Sequence, residues 1–436
     1  MANIFEEYVK ESKIFKFKDA LSPHYIPDEL PGRQKECEQF KEIFSAALRG
    51  EKVSNVLVYG NPGTGKTCVI RYMKRELEEI AKKKNIKNVI FIYINCKINA
   101  NTEYRVIRKI LEDENFLKFN EDTGKKIYDE KKLDGLPIDK FYSFLEYIVR
   151  KNNLNLIVAL DEIDIIKRGT DKDNLMYKIE RINGNLFNEK TGKFDGYISI
   201  VGITNDATFK NKLDSRTRST LAEKCIVFEK YETPHLIEIL EQRKNIAFHD
   251  GVVKDAAIRF AAAYAVNKYD GDARYALNLL KSAGEIAEKE NKNFIGEEEI
   301  KKACGDAEID ILEEIVKQLS DHQKIALYAI ADGIVSKRYN KSRLFQENQH
   351  DAILSGEAYD SYIKKCSEFG EKPRTMRWFR EYINDLHKNE LISIKEPERG
   401  RGNTTIIYIG KYYSPEEINK TIKKVIDQMY KDEDKD

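Results

Sequence analysis

The chain has 436 residues, 41% hydrophobic and 34% charged, with a formal net charge of +1. That size allows two or three domains with real cores and the charge that of a soluble protein, while no run of eighteen apolar residues suggests a membrane span. The balanced charge neither demands nor excludes nucleic acid, the N-terminus lacks signal-peptide patterning, and six scattered cysteines without a C-x-x-C pair disfavour zinc or a disulfide framework.

Residues 1 to about 50 form a mostly polar lead-in. Between 53 and about 228, five strand-like apolar runs alternate with helical patterns: residues 55–59, 89–94, 156–160, 198–203 and 225–228. Near-continuous Ile and Val runs predict strands buried on both faces, hence a parallel sheet covered by helices. The first run leads into Gly60, Asn61, Pro62, Gly63, Thr64, Gly65, Lys66 and Thr67, which fit the phosphate-binding loop G-x-x-x-x-G-K-[ST] at every fixed position. Glycines there let successive N–H groups face phosphate oxygens, and the helix starting near Cys68 adds its positive end. Lys66 would reach the β- and γ-phosphates of ATP, and the Thr67 hydroxyl would ligate Mg²⁺.

The run at 156–160 ends in Asp161 and Glu162, with Asp164 close behind. A strand ending in two carboxylates is what a Walker B element requires: Asp161 to hold Mg²⁺ through water, Glu162 to act as general base on the attacking water. Taken alone, the same residues could be an acidic turn. The next run ends in Thr204, Asn205 and Asp206; Asn205 could orient the attacking water, or simply open a turn. Arg216 and Arg218, ahead of the last strand, could reach a neighbouring subunit's γ-phosphate or belong to a solvated basic loop.

Residues 234 to about 303 read as all-helical. Within them Asp272 can cap an Ala/Leu-rich helix whose first turn carries Arg274, which could face the nucleotide in cis. Residues 309–430 read as helices followed by two short strands, 391–394 and 405–409. Helical steps over 374–388 gather Trp378, Phe379, Tyr382, Ile383 and Leu386 on one face. Arg374 opens that stretch, and Arg377, Arg380, Glu381, Asn384 and Lys388 lie on its other side, as in a recognition helix for a DNA groove. The two strands flank an Arg/Gly tip with Arg399 and Arg401, which resembles the wing of a winged helix. From 306 to 436 the block is net −3, with 22 basic and 25 acidic residues, yet 372–401 is +3, so positive charge is local to the candidate DNA-contacting element. A winged helix that binds protein instead stays open.

In this order the parts resemble the AAA+ initiators of archaeal and eukaryotic DNA replication, the family of the origin recognition complex large subunit and the cell-division-control loader. The lead-in from Leu21 to Arg33 and the stretch from Ile239 through Arg243 to Gly251 agree, and the resemblance covers about 20–410. It implies an α/β fold: an AAA+ P-loop parallel-sheet ATPase domain (1–230), a helical lid (231–305), a C-terminal winged-helix DNA-binding domain (306–430) and a disordered tail (431–436). It implies that Lys66, Thr67, Asp161 and Glu162 are the Walker residues, Asn205 sensor 1 and Arg274 sensor 2. Arg216 matches the arginine supplied in trans to a self or paralogous subunit. Tyr25, Ile26, Pro27 and Arg33 would line base and ribose, with Asn61 to Cys68 around the phosphates. An extra DNA-touching element would lie within about 115–137. Gly32 and the segment Thr217 to Thr220 depart from the usual pattern, without removing a group from the nucleotide site.

The expected function is thus ATP-dependent replication initiation with slow, switch-like hydrolysis. ATP/ADP and Mg²⁺ would be its cofactors. Origin duplex DNA and the minichromosome maintenance helicase would be its partners, in a cytoplasmic, nucleoid-associated setting. A signalling ATPase with a winged-helix interaction module, or a DNA-stimulated transposition-helper ATPase, are the alternatives.

Overall fold

The computed structural model describes residues 12–166, 171–206, 208–339, 352–389, 391–395, 405–410 and 413–433. The chain divides into two units, residues 1–297 and 298–436.

In the first unit α1 (Gln34–Leu48) precedes β1 (Val56–Gly60), and the Gly-rich loop leads into α2 (Lys66–Lys83). After β2 (Val89–Asn95) come α3 (Cys96–Asn99), α4 (Glu103–Leu111), α5 (Glu114–Leu117), a small hairpin of β3 (Glu121–Asp122) and β4 (Lys125–Lys126), and α6 (Ile138–Asn152). Next are β5 (Asn155–Asp161), α7 (Asp171–Asn185), a second hairpin of β6 (Phe187–Asn188) and β7 (Lys193–Phe194), β8 (Tyr197–Thr204), α8 (Ser215–Leu221) and β9 (Lys224–Phe228). The five long strands form one parallel sheet in the order β2-β5-β8-β1-β9. Alternate residues of each strand serve opposite faces. Leu156, Val158 and Leu160 join one apolar cluster with Ile90 and Ile198, whereas Ile157 and Ala159 join another with Val58 and Val201. Burial on both faces explains the unbroken apolar runs. The register places Tyr59 beside Thr204 and Asp161 beside Ile203, so the loop after β1 and the carboxylates after β5 emerge at one carboxyl edge. Three helices follow, α9 (Thr233–Ala247), α10 (Asp255–Tyr269) and α11 (Ala273–Lys289).

The second unit opens with α12 (Glu297–Gln318), so the border expected at 305/306 falls inside a helix. It continues with α13 (Asp321–Tyr339), β10 (Ala352–Leu354), α14 (Ser355–Glu368), α15 (Met376–Lys388), β11 (Ile392–Lys395), β12 (Ile406–Ile409) and α16 (Pro415–Glu433). The three strands form an antiparallel sheet, β10-β12-β11, beside a core that includes Ile330, Ile334, Tyr362, Phe379 and Ile383. β10 was not foreseen, because three residues carry no measurable periodicity. The segment expected as a tail from 431 is helical to Glu433, continuing α16, which is anchored through buried Ile418, Ile422 and Val425. No described helix is long and apolar enough to cross a membrane.

Candidate functional site

The phosphate loop is shaped by two glycines in left-handed backbone, Gly63 (φ 74°) and Gly65 (φ 84°). Each also meets a close neighbour. A Cβ on Gly63 would stand 2.0 Å from the Asp272 carboxyl carbon, and one on Gly65 2.6 Å from the Tyr231 hydroxyl. Thr64 is buried and its hydroxyl donates to the Asn61 carbonyl at 2.8 Å, while Asn61 and Pro62 are exposed at the crest. Lys66 is 6% exposed, and its Nζ donates to the Gly60 and Asn61 carbonyls at 2.7 Å each. Burial pushes its amine down to about 8, helped by the nearby positive charges of Arg274 and Arg33 and opposed by Asp161.

The Thr67 hydroxyl donates to Asp161 Oδ2 at 2.7 Å, so the strand end and the loop meet. The same oxygen accepts from the Tyr93 hydroxyl at 2.5 Å, and Arg71 lies 4.5 Å from the Tyr93 ring centre. Tyr93 lies near the carboxyl end of the edge strand β2 and was not singled out in the sequence, where it reads as one more residue of a buried run. Glu162 has left-handed backbone (φ 55°), uncommon for a side chain of that size. Its Oε2 is buried with no hydrogen-bond partner among the described residues. Asn205 is exposed just past β8, whereas Thr204 donates to Asp164 Oδ1 at 2.6 Å.

The helical segment closes directly on the loop. The Ala273 amide donates to the Gly63 carbonyl at 3.2 Å. Asp272 caps α11, accepting from the Arg274 amide at 2.8 Å and the Tyr275 amide at 3.3 Å. The half-exposed Arg274 side chain turns back to Asp272, Nη2 to Oδ2 3.3 Å. The Arg216 side chain lies outside the described ones. Arg218 is exposed and donates to the Leu213 carbonyl at 3.2 Å.

The lead-in wraps the same region. The Tyr25 carbonyl accepts from Arg243 Nη2, and Arg75 reaches the carbonyls of Ile26 (3.4 Å) and Pro27 (3.0 Å). Cys68 is half-buried, and burial raises its thiol's proton affinity. Arg33 is 5% exposed, and all three guanidinium nitrogens have protein acceptors: Nε to Thr64 O (3.0 Å), Nη1 to Glu36 Oε1 (2.8 Å), Nη2 to Glu229 O (2.6 Å). Its guanidinium also lies 4.0 Å from the Tyr231 ring centre. Arg33 therefore braces the back of the phosphate loop, a role that its polar surroundings in the sequence did not signal.

The residues present fit a Mg-nucleotide. Mg²⁺ takes one or two protein oxygens and fills the rest of its shell with water and phosphate. Thr67 and Asp161 supply such a pair, and no larger cluster of metal-binding side chains exists among the described residues.

In the second unit Arg374 precedes α15, and Arg374, Arg377, Arg380, Asn384 and Lys388 are all exposed. Phe379, Ile383 and Leu386 point into the core. Trp378 does not: it is 53% exposed, because it sits one residue off the i, i+4, i+7 line of those three. Arg374 Nε donates to His322 Nε2 at 3.2 Å, and His322 stacks on Tyr382. Lys388 pairs with Asp385 at 3.2 Å. Arg399 and Arg401 lie outside the described residues. The stretch 115–137, where a DNA-touching element is expected, holds most of α5 and the β3–β4 hairpin, held by buried Phe116 and by Asn120, which bonds both backbone groups of Tyr128. Lys118, Lys125 and Lys126 are exposed on it.

A phosphate loop on a five-stranded parallel sheet, a helical lid touching that loop and a separate winged-helix unit define an AAA+ ATPase with a C-terminal winged helix. Family models agree: an AAA ATPase domain matches residues 29–172, a Cdc6 AAA+ ATPase-type lid domain 237–305, and a CDC6 C-terminal winged helix domain 314–420. An ORC1-type DNA replication protein of Thermococcus kodakarensis is 38% identical over 406 residues, 93% of this chain and 90% of that protein. ORC1-type DNA replication protein 1 of Archaeoglobus fulgidus is 33% identical over 98% of this chain and 94% of its own length. The structure of the Aeropyrum pernix ORC1 protein in complex with DNA is similar at a TM-score of 0.67 and 32% identity, covering 95% of this chain and 98% of that one. The chain belongs to the ORC1/Cdc6 family of DNA replication proteins.

Proposed function

We propose that this protein is an ATP-dependent replication initiator that binds origin duplex DNA and promotes loading of the replicative minichromosome maintenance helicase. The observation that carries the reading is that one chain joins a complete Walker pair, Thr67 on Asp161 at 2.7 Å, to a winged helix with five exposed polar residues on or beside one helix. The relative from Aeropyrum pernix, matched along nearly its whole length, was solved with DNA, which supports the same direction.

ATP phosphates would dock on the loop amides, and Lys66 would leave its two carbonyls for phosphate oxygens. Mg²⁺ bound with the nucleotide would be held by Thr67 and Asp161 and would neutralise phosphate charge. Glu162, with one buried oxygen open, would take the proton of the attacking water, and Asn205 would orient that water. Arg274 would exchange Asp272 for the γ-phosphate. With Arg216 supplied to a second molecule's site, hydrolysis in the isolated protein would be slow and act as a switch. On DNA, Arg374, Arg377, Arg380, Asn384 and Lys388 would meet one groove, Arg399 and Arg401 the wing's contact, and the β3–β4 hairpin a second stretch of backbone.

The test is fluorescence anisotropy of the full chain with ATP at physiological salt, on a duplex from the intergenic region beside its own gene and on a shuffled duplex. A preference of tenfold or more for the first supports origin recognition. Absence of binding to either would defeat the DNA reading.

A further inference from the structure

Arg243 is a buried cation that none of the roles above uses. It projects from α9 and is 5% exposed. Its Nη2 donates to the Tyr25 carbonyl at 3.2 Å, and its guanidinium lies 4.8 Å from the Tyr25 ring centre. Its Nε and Nη1 are buried and have no hydrogen-bond partner among the described residues. The ionisable groups bearing on it are Cys68 and Tyr25, neither of them a carboxylate. Nearby Arg33, equally buried, has an acceptor for every nitrogen, so the contrast is local.

A guanidinium in such a place carries a desolvation penalty that open donors do not offset. The position says which ligand could offset it. Tyr25 belongs to the lead-in, Cys68 directly follows Thr67 on α2, and Arg243 belongs to the lid. The three meet beside the start of α2, past the loop that takes phosphates, where the far end of a bound nucleotide would extend. A purine ring presents nitrogen acceptors on several edges and no anion that would need a second cation.

We propose that Arg243 is a base-reading residue, whose Nε and Nη1 donors engage ring-nitrogen acceptors of a purine held between the lead-in and the lid. The proposal rests on the reading of this site as an ATP site and assigns the lid a part in choosing the base. Selectivity follows from unpaired buried donors: a nucleotide that leaves them open loses binding, as sites built to hydrogen-bond a group reject ligands lacking it.

The experiment uses the full chain with Mg²⁺ and measures ADP and UDP affinities by competition against a fluorescent ADP, alongside thermal unfolding without nucleotide. In Arg243→Met, which keeps an apolar stem but no donors, ADP affinity should fall tenfold or more while UDP affinity changes less than twofold. The nucleotide-free melting temperature should not fall, because the substitution removes an unpaired buried charge. Should that variant fail to fold, the wild-type protein decides with 1-deaza-, 3-deaza- and 7-deaza-ADP, of which at least one must bind tenfold more weakly than ADP. Equal loss of ADP and UDP, or full affinity for all three deaza analogues, would overturn the proposal and leave Arg243 a strut for the Tyr25 carbonyl. A wild-type protein that binds no ADP at all would overturn the ATP reading itself, and this inference with it.

Discussion

Binding of a nucleotide should draw a proton onto Lys66. Burial holds its amine down to about 8, against an ordinary 10.5. Phosphates on the loop would bring negative charge to the amine and return it toward the ordinary value. At pH 9 the amine would then be about 10% protonated when free and about 97% when bound, an uptake of about 0.9 proton per ADP, against about 0.1 at pH 7. Affinity should weaken about tenfold for each pH step above about 8, until the ordinary range is reached. For folding, the sign is set by the depressed native value: the unfolded chain holds this proton more tightly. The contribution to stability is therefore full above about 10.5 and is lost as pH falls to about 8. Isothermal titration calorimetry at pH 9, in buffers of different ionisation enthalpy, reads the uptake as the slope of observed against buffer enthalpy. Arg cannot deprotonate in this range, so Lys66→Arg should bind without uptake. A flat plot for the wild type at pH 9, with binding intact, would refute the reasoning.

Other perturbations test the remaining parts. Gly63→Ala adds a methyl 2.0 Å from the Asp272 carboxyl and keeps a left-handed φ, so the lid cap must move; thermal unfolding should show a loss of about 1–3 kcal/mol, and an unchanged melting temperature counts against the contact. Tyr93→Phe removes one of the two donors on Asp161 Oδ2; the Mg²⁺ concentration needed to support ADP binding should shift several-fold, while ADP binding in EDTA stays as in the wild type. Glu162→Gln should retain ATP yet release phosphate about a hundredfold or more slowly, and near-normal turnover removes it as base. Trp378 is the chain's single tryptophan and is exposed beside Arg377; duplex DNA should change its emission, and losing each of Arg377 and Arg380 should lower the log–log salt slope by about one if it contacts phosphate.

The sheet was legible because its inner strands are buried on both faces and so read as unbroken apolar runs, while the edge strand β9 buries only Ile226 and Phe228. The phosphate loop was legible because its glycines and lysine stand at fixed spacing. Thr67 and Asp161, 94 positions apart, could be paired from the two motifs they belong to, and the structure brings them together. What remained hidden depends on distance across the chain. Nothing local to Arg33 shows that it reaches Glu229, 196 positions away, and nothing in the run around Tyr93 marks its hydroxyl as a partner of Asp161. Trp378 was placed with the buried face because helical steps blur at the rim of an apolar arc, where one position decides between core and solvent. Strand β10 shows the same limit: pairing with Ile406 to Tyr408, not its own pattern, makes it a strand.

Arg33 joins three stretches of chain that a map of the ATPase motifs would treat separately: the lead-in, the loop at Thr64 and the exit of β9 at Glu229. The catalytic domain is therefore not self-contained from its first sheet strand onward. A chain shortened to begin after residue 33 would retain every Walker residue and still lose the wedge that fixes the Thr64 carbonyl, with Glu36 left as a buried, unpaired carboxylate. For anyone dissecting this protein into working parts, the natural cut lies upstream of the lead-in, and the nucleotide site is inherited only together with it.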